Sequence, residues 1–348
     1  MAEAQTQNRG EPASLADALA AVVRRRLPGA TGIAALTRLS GGASNETWSF
    51  DATGSGAPLP LILRRRFGGA AEATPPSVSL RLETEALLLG LAASQGVPVP
   101  DVRFVLEPGD GLGSGYAMER LEGETIARRI LRDEAFAAVR PRLARQCGEI
   151  LARIHGTPEQ RLPPLPRADA AAQLVHYRAV FDAFGHAHPV FELAFRWLGD
   201  HLPPSAPAVL VHGDFRLGNL LIAPDAGVRG VLDWEIAHEG DPMEDLGWIC
   251  VNSWRFGAEL PVGGFGTREE LFAGYESAGG RKVDPGRVHL WEILGTLKWG
   301  IMCMMQYGVF ERGIDRSVER AAIGRRSSET EIDLLELLQA PVAGARSE

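Results

Sequence analysis

One stretch constrains this chain more than any other. Residues 209–235 read VLVHGDFRLGNLLIAPDAGVRGVLDWE, a β-rich island between long helical patterns. Val209–Val211 is a short apolar strand leading into His212-Gly213-Asp214. Leu220–Ile222 and Gly230–Leu232 are two further strands, joined by a Pro-Asp-Ala-Gly turn. Strands joined this way form an antiparallel hairpin, which sets the start of the first beside the end of the second. The pattern therefore predicts Asn219 next to Asp233, and directly opposite residues lie about 4.5–5.5 Å apart at Cα. Asp214 falls in the loop just ahead of the hairpin.

Taken singly, a loop aspartate is most often a turn or cap residue. The set is different. An Asn carbonyl and an Asp carboxylate are hard oxygen donors suited to Mg²⁺ carrying a nucleotide. A carboxylate at Asp214 can accept the proton of an attacking hydroxyl.

The basic residues narrow the chemistry further. Of 36 Lys and Arg, only Lys282 and Lys298 are lysines. No lysine precedes residue 282, so a phosphate loop of the GxxxxGK[ST] kind is excluded. A net charge of −8 argues against a nucleic-acid binder, because phosphate backbones are held by net basic surfaces. Cys147, Cys250 and Cys303 are few, odd in number and far apart, which fits a reducing cytoplasm and no disulfide framework. The polar N-terminal residues lack the apolar core of a signal peptide. The longest apolar run, Trp299–Phe310, is too short to span a bilayer, which needs about 20 residues.

Along the chain, residues 1–13 read as a disordered tail. Ser14–Leu27 reads as a helix capped by Ser14, with Leu15, Leu19, Val22 and Val23 on one face. Short strands follow at Leu36–Leu39, Thr47–Phe50 and Leu61–Arg64, with glycine-rich turns between them. A helix over Thr84–Gln95 is stopped by Gly96, Pro98 and Pro100. Strands at Val102–Leu106 and Gly115–Arg120 complete a small, mostly antiparallel sheet. From Pro141 the chain turns helical, at Pro141–His155, Ala168–Phe184 and Val190–Leu202, and after the island near 267–278, 287–309 and 329–339. The fold class is α+β, with an N-terminal part over 14–120 and a mostly helical part over 121–345. Trp291–Phe310 reads as a core helix. His186 and His188 have no acidic or thiol partner at ligand spacing and are not read as a metal site.

The island matches the order of the kinase catalytic loop, H-R-D-x-x-x-x-N, followed by a metal-binding Asp after the next hairpin. With Gly213 in the second position, Leu232-Asp233-Trp234-Glu235, and Gly240-Asp241-Pro242 followed by Asp245-Leu246-Gly247-Trp248, it resembles the aminoglycoside phosphotransferase family. Within that family it is most similar to the branch associated with acyl-CoA dehydrogenases. The resemblance covers about residues 30–310. It implies a bilobal, protein-kinase-like fold and an ATP- and Mg²⁺-dependent transfer of phosphate to a hydroxyl.

The resemblance also assigns roles. Asp214 is the base or orienter of the acceptor hydroxyl, Asn219 and Asp233 hold Mg²⁺, and His212 and Asp245 support the loop. Gly41, Gly42 and Ser44 lie where backbone N–H groups approach phosphates. Arg64 takes the place of the usual lysine, with Arg65 as the alternative register. Its helix partner is Glu85, with Glu83 as competitor, and the two point about 200° apart around a helix. Met118, Glu119 and Leu121 form the adenine-binding hinge, Met118 lining the pocket and the other two offering backbone groups. The implied acceptor is a small hydroxylated molecule, with a hydroxy acid or hydroxyacyl-CoA first and an aminoglycoside or amino alcohol as alternative. A nucleotide-binding pseudokinase regulator is the reading from another class. Neither nucleic acid nor membrane is expected as a partner.

Overall fold

The computed structural model describes residues 11–39, 45–66 and 79–339. The described residues divide into two compact units, one drawn from those up to 93 together with 99–121, the other from 94–98 together with those from 122 onward.

The first unit is a five-stranded antiparallel sheet with two helices. Helix α1 (Glu11–Arg26) leads into β1 (Ala30–Leu39), β2 (Glu46–Gly54) and β3 (Leu59–Arg66). Helix α2 (Leu82–Ser94), β4 (Val102–Val105) and β5 (Ser114–Glu119) follow. The strand order is β1-β2-β3-β5-β4. The expected apolar face of α1 is the one that packs. Leu15, Leu19, Val22 and Val23 are buried with Phe50, Leu61, Leu63, Phe104 and Ala117. Each such side chain contributes about 1.5–3 kcal/mol when fully removed from water. The helix begins at Glu11 rather than at Ser14, because Pro12 is tolerated in a first turn, where its missing N–H has no intrahelical partner to lose. Residues 11–13 are therefore helical and not part of a tail, and residues 1–10 lie outside the described residues.

The second unit is mostly helical. It holds α3 (Ala127–Arg132), α4 (Arg140–His155), α5 (Ala170–Phe184) and α6 (Pro189–His201). The island supplies β6 (Val209–Val211), β7 (Leu220–Ala223), β8 (Gly227–Val231) and β9 (His238–Gly240). Helices α7 (Met243–Trp248), α8 (Arg268–Ser277), α9 (Pro285–Glu311), α10 (Val318–Gly324) and α11 (Ser327–Gln339) complete it. Helix α9 is the axis of this unit. Its 27 residues span about 40 Å. It is apolar around most of its circumference, and Trp291, Ile293, Leu294, Leu297 and Ile301 are buried. Helices α4 and α8 cross through glycines. A Cβ on Gly148 would lie 2.1 Å from the Leu271 carbonyl oxygen, and one on Gly274 would lie 2.2 Å from that of Arg145. Among the described residues no helix is long and apolar enough to cross a membrane.

Candidate active site

The catalytic-loop candidate begins where β6 ends. Strand β6 pairs antiparallel with β9, Val211 opposite His238. This anchors the loop at its start. Gly213 then turns the chain with φ +80°, and a Cβ there would lie 2.8 Å from the Ile236 carbonyl oxygen. Only glycine meets both conditions without strain.

Asp245, at 0% exposure on α7, holds this turn from below. The His212 N–H donates to its Oδ2 at 2.8 Å, and the Gly213 N–H to its Oδ1 at 2.9 Å. His155 Nε2 meets Oδ2 at 3.1 Å, and its Nδ1 meets the Tyr275 hydroxyl at 3.0 Å. Burial alone would raise the Asp245 carboxyl, but the His155 contact and the loop's N–H groups outweigh it and hold it below the carboxylate range. His212 is buried and faces inward. Its Nδ1 accepts the Asp214 N–H at 3.2 Å and its Nε2 donates to the Leu232 carbonyl at 3.1 Å. Burial lowers its pKa despite the nearby carboxylates of Asp245 and Asp214. It ties the loop to the hairpin as a neutral ring.

Asp214 stands at the head of the loop with both carboxylate oxygens engaged. Oδ1 accepts from Arg216 Nε at 2.9 Å and from Trp248 Nε1 at 2.9 Å. Oδ2 accepts from Asn219 Nδ2 at 2.6 Å, and the same amide nitrogen donates to the Asp214 backbone carbonyl at 2.9 Å. Both amide protons of Asn219 are thereby committed to Asp214, which leaves Oδ1 as the atom able to ligate a cation. Arg216 lies over the face of Trp254 at 4.6 Å, so its guanidinium is fixed from two sides.

The hairpin register departs from the sequence expectation by one residue. Leu220 pairs with Val231, and the Leu232 N–H donates to the Asn219 carbonyl at 2.9 Å. Leu232, not Asp233, is therefore opposite Asn219. The turn pairs Ala223 with Gly227, two residues short of the expected register, and a bulge between Leu221 and Ile222 restores one of them by placing an extra residue on β8, so the strand closes at Val231. Asp233 follows directly with φ +64°, a left-handed conformation for a non-glycine residue. Such conformations are held only where surrounding structure imposes them and cluster at functional sites. Asn219 and Asp233 together are a donor set of the kind Mg²⁺ uses when phosphates supply the remaining oxygens. Among the described residues no group of three His, Cys, Asp or Glu forms a metal cluster.

In the first unit, Arg64 on β3 reaches Glu85 on α2, Nε to Oε2 at 3.4 Å. Glu85 is buried at 0% exposure and also accepts from the Tyr116 hydroxyl at 3.2 Å. Arg65 points to the opposite face of the strand and pairs with Glu46 at 2.8 Å. The alternation of β3 thus separates the two arginines, and α2 turns Glu85 rather than Glu83 inward. Met118 lies on β5 opposite Ile62, and Glu119 opposite Leu61. The Arg120 N–H to Pro60 carbonyl bond, at 3.0 Å, closes this ladder, and the boundary between the units falls after Leu121. Gly41, Gly42 and Ser44 lie outside the described residues.

The phosphotransferase enzyme family model matches residues 35–291. The chain belongs to that family. Its matched region holds the first unit's sheet from the middle of β1 onward and the whole island. Acyl-CoA dehydrogenase family member 10 of Mus musculus is 30% identical over 236 residues, covering 64% of this chain and 20% of the relative. Acyl-CoA dehydrogenase family member 11 of Gallus gallus is 28% identical over 243 residues, covering 64% and 29%. The chain therefore spans under a third of the length of these relatives. Among solved structures, a Ralstonia eutropha protein assigned by likeness to the aminoglycoside phosphotransferases superposes with a TM-score of 0.72 at 21% identity, covering 92% of this chain and 97% of the other. A choline/ethanolamine kinase family protein from Mesorhizobium loti gives 0.62 at 23%, covering 94% and 95%. The fold is the bilobal kinase-like one.

Five residues around these side chains were given no role from sequence. Tyr116 and His155 act on residues that were given one, Glu85 and Asp245. Arg216 and Trp248 stand inside the quoted motifs but carry no sign of which atom they reach. Lys298 sits in a helix whose pattern reads as core.

Proposed function

We propose that this chain transfers the γ-phosphate of ATP to a hydroxyl of a small molecule, with Mg²⁺ bound alongside the nucleotide, and that the acceptor is a hydroxy acid or a hydroxyacyl-CoA. The observation that carries the reaction class is the Asp214 carboxylate, fixed by Asn219, Arg216 and Trp248 at the end of β6. Asp214 orients the acceptor hydroxyl and takes its proton as the oxygen bonds to phosphorus and the bond to the departing ADP oxygen breaks. Asn219 Oδ1 and the Asp233 carboxylate are assigned to the metal, which would neutralise charge on the phosphates. In the first unit, Arg64, steadied by Glu85, is assigned to the nucleotide phosphates; its planar fork retains its charge and can hold phosphate through two N–H groups. Met118 and the backbone of Glu119 and Leu121 are assigned to the adenine. His212 and Asp245 position the loop rather than touch the reactants.

The acceptor class is supported by the relatives, which are named as acyl-CoA dehydrogenase family members and carry this region as one part of a longer protein. Aminoglycosides, macrolides and amino alcohols are the competing acceptors, since solved neighbours are named for them. A cytoplasmic setting follows from the cysteine usage.

An ATP-coupled screen across hydroxyacyl-CoAs, hydroxy acids, aminoglycosides, macrolides and amino alcohols tests this reading. Turnover is expected on the hydroxy acids or their thioesters, and Asp214→Ala should abolish it while Mg·ATP binding persists. Equal turnover by Asp214→Ala would remove Asp214 from its role. ATP binding with no turnover on any hydroxy compound would favour a regulatory pseudokinase.

A further inference from the structure

Lys298 is one of two lysines in the chain, and it lies within the field of Asp214. It projects from the middle of α9 and is 6% exposed. Its ammonium lies over the Trp248 ring at 4.9 Å, and the other edge of that indole donates to Asp214. Glu244 Oε1 is 3.6 Å from Nζ, beyond hydrogen-bond range. Among the described residues nothing accepts a hydrogen bond from Lys298, although an ammonium carries three donors. Held by an ion pair and a ring face, the ammonium has donors open to a further acceptor, which needs a place to sit.

The space beside it supplies one. A small cavity is lined by Lys298, Gln173, Glu244, Trp248 and Trp291, with about 10 Å³ of room. That is close to the lower limit for one water-sized atom. Glu244 is the carboxylate of the cluster, and its Oε2 is already taken by Gln173 Nε2 at 2.7 Å and His238 Nε2 at 3.1 Å. His238 Nδ1 faces the Ile236 carbonyl at 3.0 Å. Both ring nitrogens thus face acceptors, an arrangement that suits the imidazolium. Burial alone would lower His238, but Glu244 and the Ile236 carbonyl outweigh it and raise its pKa. Burial would likewise lower Lys298, and the Tyr177 hydroxyl, Glu244 and Asp214 outweigh it, so the ammonium stays charged. Asp214 is itself paired with Arg216. Lys298 and His238 thus both face Glu244, and Asp214 and Asp245 act on Lys298 from further off.

We propose that Lys298 is the residue that selects the acceptor, by donating to one oxygen of a carboxylate carried on the same molecule as the reacting hydroxyl. This rests on the phosphotransfer reading and narrows its substrate class to the free hydroxy acid. The carboxylate oxygen fills the one-atom space and accepts a hydrogen bond from the ammonium. An ammonium group at the same place would meet Lys298 with like charge, so amino alcohols are rejected.

Calorimetric binding without ATP tests the proposal. The probes are short hydroxy acids and, for each, the amide and the amino alcohol of equal length. Wild type should bind the acid at least about tenfold more tightly than the amide, and the amino alcohol least. Lys298→Met should lose that preference, Lys298→Arg should keep part of it, and both should retain Mg·ATP binding. Wild type binding acid and amide equally, or binding no acid, overturns the proposal without recourse to any variant. So does an unchanged acid affinity in a folded Lys298→Met. The two readings fail separately. Turnover of a hydroxy acid whose binding ignores Lys298 defeats this inference alone. Acid binding that requires Lys298 but gives no product defeats phosphotransfer alone.

Discussion

Asp245 holds His212 by its backbone, not its ring: the His212 N–H donates to Asp245 Oδ2 at 2.8 Å while the imidazole faces the Leu232 carbonyl. A carboxylate is needed because it must accept on both oxygens at once, Oδ1 taking the Gly213 N–H. Asparagine has one acceptor oxygen, so Asp245→Asn sets an amide NH₂ against one of these donors. Loss of a buried, charge-assisted network of this kind costs about 3 kcal/mol. Urea unfolding should show a midpoint shift of that size. Turnover should fall about a hundredfold, because Asp214 is the next residue along and small misplacements of a reacting group are costly. Full activity in a destabilised Asp245→Asn would show that the loop's geometry is set elsewhere.

The same pair fixes a pH dependence. Asp245 is held below its ordinary range in the folded state, so its stabilising contribution is present above the unfolded carboxylate pKa and is lost as pH falls through the lower folded value. His212 is also lowered, but it is a base. The unfolded chain takes up its proton first, so stability begins to fall once pH drops below about 6.5, the ordinary imidazole value. Both effects weaken the fold in acid, in two successive windows. Chemical denaturation from pH 8 down to about pH 2 should show this two-step loss, and His212→Gln should flatten the upper step. An upper step unchanged in that variant would place the titration on another histidine.

The ion pair on β3 makes a separate prediction. Arg64→Ala removes the cation beside Glu85, which is fully buried, so stability should drop by about 3 kcal/mol. The KM for ATP should rise and kcat should fall. Arg65→Ala should affect ATP kinetics far less, because its partner Glu46 sits on the other face and is partly exposed. Unchanged ATP kinetics in Arg64→Ala would mean that the position of the usual lysine is left without a phosphate ligand.

How much of this was readable beforehand follows from where each constraint resides. The order of Asp214, Asn219 and Asp233 is a local string, and so is the apolar face of α1. The Asp214–Asn219 contact and the packing of that helix face both appear in the structure, because short spacing fixes which residues share a loop or a face. The Arg64–Glu85 choice needed only strand alternation and helix phase, which are also local. The hairpin register failed by one residue because the turn closes on Gly227 and a bulge on β8 recovers only part of that shift, and neither leaves a mark in a run of Gly, Val and Arg. Long-range partners were invisible for a different reason. His155 to Asp245 and Lys298 to Glu244 join helices far apart in sequence, and the surroundings of Lys298 read simply as an apolar core helix.

The crossing of α4 and α8 offers a test of the fold that leaves the chemistry aside. Gly148 and Gly274 let the two helix backbones come within direct contact, with Leu271 and Arg145 carbonyl oxygens where Cβ atoms would stand. Backbone cannot yield as a side chain can, so even one methyl must push the helices apart. Gly148→Ala should cost about 1–3 kcal/mol by overpacking, despite alanine's higher helix propensity. Helix α4 also ends at His155, the residue behind Asp245, so a shift of α4 reaches the catalytic loop. Gly148→Ala should therefore lower turnover as well as the urea midpoint, while a glycine on an open helix surface, Gly199, should gain stability when changed to alanine. Equal stability changes at Gly148 and Gly199 would show that the α4–α8 crossing is looser than its backbone contacts require.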